Sequence, residues 1–189
     1  MREVARRAGC THPAPYHYFA NREAILAALV HEGFDELTDM LASAREGLGS
    51  ADLRAILTAS GSAYVEFALR HPGVFRVMFR PDACDPERFP EVAQAGERAR
   101  HELARLAKAV MGDGAQVEAE VLIWSGVHGL ASLLLDGPLV GEFSSTEDRI
   151  DFARRVVGLV EVPVVGGGCG CVNRHSGGCA AEAEGRSVS

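Results

Sequence analysis

Three observations predict an all-α protein. Apolar residues recur at spacings of three and four along almost the whole chain, the period of helices that bury one face. Strand-like alternation is absent apart from one ambiguous apolar run near Val160 to Val165. Proline and glycine fall mainly between the periodic segments, where they start or stop helices. With 189 residues, 47% of them hydrophobic, the chain has material for one sizeable core, or for a small module attached to a larger one.

The first element is a short helix over residues 2–8, with Val4, Ala5 and Ala8 at helical spacing. Gly9 stops it, being free to take the positive φ that turns the chain. The stretch AGCTHPAPYHYF at 8–19 comes next. Proline fits the first helical turn, whose N–H groups lack partners, but costs about 3 kcal/mol in a helix interior. Pro13 and Pro15 therefore mark a helix start, with His12 or Thr11 as its cap. A helix, a tight glycine-containing turn and a short second helix form the helix-turn-helix arrangement. In that geometry the second helix offers its N-terminal residues to the major groove of DNA.

Asn21 caps a longer helix carrying Ile25, Leu26, Leu29, Val30, Phe34, Leu37 and Leu41 at spacings of three and four. Ser50 or Asp52 starts another, with Leu53, Leu57, Ser60, Tyr64 and Phe67 on one face, and His71-Pro72 ends it. PGVFRVMF forms a short helix. Residues 86–111 read as a charged amphipathic helix in which Arg98 and Glu102 are spaced to pair, with Gly112 and Gly114 at its end. The helix over 115–135 is the most apolar, closed by Asp136-Gly137-Pro138. Thr146 caps a last helix running to about Val160, with Glu147 and Asp148 favourable in its first turn. The Gly-, Ala- and Ser-rich remainder lacks periodicity and reads as a disordered tail. The expected domains are 1–45, a helix-turn-helix module with its connecting helix; 46–162, an α-helical regulatory domain; and 163–189, the tail.

A formal net charge of −7 argues against a protein coated with positive charge, yet charge acts locally. Arg2, Arg6, Arg7 and Arg22, against Glu3 alone, make residues 1–22 the one clearly basic segment. No run approaches the roughly 18 uninterrupted apolar residues of a membrane span, and the N-terminus has charges where a signal peptide is apolar. A cytoplasmic protein without a membrane partner is expected. An odd count of five cysteines, three of them in the tail, makes a poor disulfide framework.

REVARRAGCTHPAPYHYFANREAIL resembles the DNA-binding region of TetR-type transcriptional repressors: the Ala-Gly turn, Tyr16-x-x-Phe19 and the capped helix from Asn21 carry the likeness. HPGVFRVMF and WSGVHGL, with Trp124, His128 and Gly129, resemble the regulatory domain of a TetR subgroup named for a Trp-His-Gly motif. The resemblance spans about residues 2–160. It implies a homodimeric, DNA-binding transcriptional regulator, a repressor released from a double-stranded DNA operator by a small organic effector of unknown identity. Thr11, Tyr16 and Arg22 would contact phosphates, His12, Pro13 and Ala14 would face base edges, and His17 could join either set. Tyr64, Phe67, Phe75, Met78, Phe79, Trp124 and His128 are the candidate effector pocket, although cores use the same residue types.

TetR-type modules normally carry a further helix ahead of the one that begins here at Arg2, where this sequence has only Met1. The expectation is a start codon assigned too far downstream. The alternative is a truncated, dimeric ligand-binding protein that has lost DNA binding. In the tail, Cys169, Cys171, His175 and Cys179 could ligate zinc or copper, but the Cys-x-Cys spacing is tight and the glycines supply no framework, so neither metal nor cofactor is expected. An enzyme finds no motif: there is no P-loop, no dinucleotide fingerprint, no His-Glu-x-x-His and no Gly-x-Ser-x-Gly.

Overall fold

The computed structural model describes residues 2–7, 9, 11, 13–48, 52–80, 84–85, 87–112 and 116–160. Among them every regular element is helical: α1 (Arg2–Arg7), a 3-10 turn (Ala14–His17), α2 (Arg22–Ser43), α3 (Leu53–Arg70), α4 (Pro72–Met78), α5 (Pro90–Met111), α6 (Gln116–Leu135) and α7 (Thr146–Gly158). The tail, with its four metal-ligand candidates, lies outside the described residues.

The caps follow the sequence closely. The side chain of Asn21 accepts from the Ala24 N–H at 2.8 Å, and that of Asp52 accepts from the Ala55 N–H at 2.9 Å. Of the two caps considered for α3, Asp52 is used. The cap of α7 is Ser145, one residue before Thr146, and its hydroxyl accepts from the Asp148 N–H. Gly9 takes φ 67°, the left-handed conformation its place after α1 requires.

The short second helix of the turn motif differs from expectation. It is a single 3-10 turn with Pro13 at the cap position and Ala14 as first residue. Tyr16 and Tyr18 donate to the carbonyls of Pro13 and Pro15, three residues back. Both prolines stand at the cap and in the first turn, where an α ladder needs no donor, and the four residues close through the tighter i→i+3 pattern.

In the body, α2 lies along α5, while α3 packs on α6 and α7 and also meets α2. The core runs through Phe34 and Leu37 of α2, Val65 and Phe67 of α3, Phe75 and Met78 of α4, Leu134 of α6 and Ile150 of α7. Gly61 permits the close approach of α3 to its neighbours: a Cβ there would meet Val157 Cγ1 at 2.8 Å and Val127 Cγ1 at 3.2 Å. Glu102 pairs across to Arg45 instead of along its own helix to Arg98, whose guanidinium reaches Asp35 at 2.5 Å. With Arg88 paired to Glu23, three ion pairs hold α2 and the turn after it to α5 and its leading loop.

Helix α6 is unusual. Its Val117–Leu135 stretch, with a mean hydropathy of 1.2, is long and apolar enough to cross a membrane by length and composition, and 22% of it is buried. Ala131 and Leu134 nevertheless sit in the core, and Trp124 and His128 are hydrogen-bonded to α3. Val117, Val121, Leu122 and Leu133 are exposed along it.

Candidate functional site

Two regions carry the chemistry, and α2 joins them. At the N-terminal end, Thr11, Pro13, Tyr16, His17 and Arg22 are exposed, and Ala14 is half-buried. His12 lies outside the described residues. Ala5 is buried and Phe19 half-buried. Arg6 and Arg7 both bond Glu3, pulling its carboxyl below the usual range, chiefly through the Arg6 bond. Tyr18, 87% exposed, also belongs to this surface. Nothing in the sequence separates it from a core tyrosine, because a 3-10 turn changes which residues share a face.

The second region is a cavity of about 240 Å³ between α2, α3, α5 and α6. Phe34, Leu37 and Leu41 of α2 form one wall, and Gly96, Ala99, Leu103 and Leu106 of α5 another. Ser60, Gly61 and Tyr64 of α3, Ile123, Trp124 and Val127 of α6, and Phe79 after α4 complete it, with Arg45, Arg100 and Glu102 also on the lining. Tyr64, Phe79 and Trp124 of the expected pocket residues thus meet the cavity. Phe67, Phe75, Met78 and His128 do not line it. The first three are core, each less than a tenth exposed.

His128 stands behind the wall in a hydrogen-bonded chain. The Trp124 indole donates to the Tyr64 hydroxyl at 3.0 Å, and that oxygen lies 2.9 Å from His128 Nδ1. The arrangement that uses every hydrogen has Tyr64 donating to an unprotonated Nδ1, which puts the imidazole proton on Nε2. Burial pushes the Tyr64 hydroxyl well above the ordinary phenol range, partly offset by the indole bond, and lowers the His128 pKa. The rings of Phe75 and Phe79 both pack 5.1 Å from the imidazole. The Trp-x3-His spacing thus links α6 to α3 through Tyr64.

The cavity's polar groups are few and, with one exception, satisfied. Arg45 pairs with Glu102, and Arg100 bonds Glu97 at 2.7 Å and Glu120 at 3.0 Å. The exception is Ser60. Its hydroxyl is buried without a hydrogen-bond partner among the described residues, which costs about 1–3 kcal/mol.

Sequence reasoning missed the α2 and α5 walls. Phe34, Leu37 and Leu41 were legible as a buried stripe, but which part of a stripe faces a void depends on the fit of four helices.

The two regions match known proteins together. Residues 1–29 match the model described as bacterial regulatory proteins, tetR family, and residues 57–158 match the tetracyclin repressor-like C-terminal domain. A solved structure of a protein of unknown function from Rhodococcus sp. RHA1 is 29% identical, with TM-score 0.60 over 83% of this chain and 81% of that one. A tetR-family bacterial regulatory protein from Rhodococcus RHA1 is 19% identical, with TM-score 0.58 over 85% and 86%, a likeness of fold. No curated protein matches the chain. With both halves matched in their proper order and the helical architecture in agreement, the chain belongs to the tetR family of bacterial regulatory proteins, which are DNA-binding transcriptional regulators.

Proposed function

We propose that this regulator is a cytoplasmic, non-enzymatic repressor that binds operator DNA as a homodimer and leaves it when a small organic effector fills the cavity. One observation carries the reading: α2 begins beside the exposed turn at Asn21 and lines the cavity with its second half. At 22 residues it is about 33 Å long, so an occupant pressing on Leu37 and Leu41 acts on the same rigid rod that bears the turn. The effector shifts the equilibrium only by its differential affinity for the two arrangements of that rod.

In this proposal residues 1–45 are the DNA-binding module with its connecting helix and 46–162 the regulatory and dimerisation domain. Thr11, Tyr16 and Arg22 contact phosphates, His12, Pro13 and Ala14 face bases, and His17 joins one set or the other. Direct readout is sparse, because Pro13 and Ala14 offer only apolar contact, for instance to a thymine methyl. The exposed apolar face of α6 supports the dimer: Val121 and Leu122 are more than half exposed, beside Ser125 and Gly126, small enough for a second helix to approach. A two-fold pairing there would present two turns to successive major-groove faces, about 34 Å apart.

The test is fluorescence anisotropy with the intergenic DNA upstream of the gene at 0.15 M salt, using this chain and a version extended by any in-frame upstream codons. The expected result is binding about a thousandfold or more tighter than to unrelated DNA. Failure of both versions to discriminate would overturn the proposal.

A further inference from the structure

Resting on the reading of the cavity as the effector site, the geometry points to the class of effector: a compact, uncharged, largely apolar molecule with one hydrogen-bonding group, which meets the Ser60 hydroxyl. Three observations converge on it.

The first is size. A dry cavity of about 150 Å³ suffices for benzene, so 240 Å³ holds a molecule of about ten non-hydrogen atoms, a fused pair of rings or its branched equivalent.

The second is charge. Each charged side chain on the lining already has its counter-charge from the protein: Arg45 has Glu102, and Arg100 has Glu97 and Glu120. A carboxylate ligand would have to displace Glu102 or Glu120 to gain an arginine, and an ammonium would have to displace an arginine. Either ion would otherwise lie unpaired against Phe34, Leu37 and Leu103, where an isolated charge is strongly disfavoured.

The third is Ser60: the residue stands on the same lining, its hydroxyl lacks a partner among the described residues and is covered in the empty cavity, and a turn about the Cα–Cβ bond brings it to an occupant. A hydroxyl both donates and accepts, so a phenol, alcohol, ketone or ring N–H satisfies it. The other hydrogen-bonding groups of that wall, the Tyr64 hydroxyl and the Trp124 indole, are committed to each other and to His128. Specificity therefore falls on one atom.

The experiment is calorimetric titration of the whole protein with naphthalene, 2-naphthol, 2-naphthoate and 2-naphthylmethylammonium, repeated on Ser60→Ala. Because that substitution removes an unsatisfied buried hydroxyl, the variant should unfold at the same temperature as the parent or higher, which certifies its fold. Naphthol is expected to bind about tenfold tighter than naphthalene and both ions more weakly than either, and Ser60→Ala should bring naphthol down to the naphthalene level. A tighter-binding ion, or a naphthol preference that survives Ser60→Ala, overturns the inference. Equal binding of naphthalene and naphthol rejects the Ser60 contact and leaves the effector site standing. If none of the four binds, the reading of the cavity as an effector site fails, and this inference with it.

Discussion

Tyr64 of α3 and His128 of α6 share one hydrogen bond of 2.9 Å, and the Trp124 indole, donating to the same phenol oxygen at 3.0 Å, fixes its direction. Removing the phenol oxygen leaves an indole N–H and an imidazole nitrogen without that partner. Tyr64→Phe is therefore expected to cost about 1–3 kcal/mol in urea unfolding, although it conserves the ring and its packing on Phe75. No change in the unfolding midpoint would mean that the chain of bonds contributes nothing.

The same bond requires a neutral His128, and burial lowers its pKa from the ordinary 6.5. Below 6.5 the unfolded chain takes up a proton that the folded protein resists, so this group's contribution is complete above 6.5 and is lost as pH falls toward the folded value. Thermal unfolding between pH 7.5 and 5 should thus show a loss of stability that His128→Asn reduces. An identical pH profile in the variant would count against the assignment.

Arg45 and Glu102, with side chains 20% and 13% exposed, join the end of α2 to α5 at the cavity. Losing one partner leaves a poorly hydrated charge, so Glu102→Ala is expected to cost about 2 kcal/mol, and adding Arg45→Ala should recover part of that. A double-mutant cycle in urea gives the coupling. Strict additivity would show that the pair does not hold the two helices together.

Arg22, exposed in the first turn of α2, is proposed to neutralise one phosphate. Arg22→Ala should weaken binding alike across DNA sequences and reduce the slope of log affinity against log salt by about 0.9. A sequence-dependent loss at unchanged slope would move Arg22 to the base-reading set.

Val121 is 57% exposed, so a charge there leaves the fold of one chain intact. Val121→Glu is expected to convert the proposed dimer of 20.1 kDa chains to monomers in light scattering, because it would bring a carboxylate from each chain into the proposed apolar interface. A dimer that persists in the variant would place the interface elsewhere.

Helix type and most helix boundaries were legible from local chemistry. Asn21 and Asp52 offer side-chain acceptors to N–H groups three residues on, and proline at 72 bars the preceding residue from the helical region, so α2 and α3 begin, and α3 ends, where these residues dictate. The family likeness was equally local, resting on motifs within two continuous stretches. Packing decided the rest. Periodicity states which face of a helix is buried but not what it is buried against, so Phe34 and Leu41 could not be assigned to the cavity wall, nor Phe67 and Phe75 removed from it. Glu102 had Arg98 available one helical turn away; its pairing with Arg45, 57 residues distant, exists because α2 lies along α5. Ser60 shows the same limit most sharply: its place on a buried face was visible in the spacing, whereas its want of a partner is a property of four helices meeting with a gap between them.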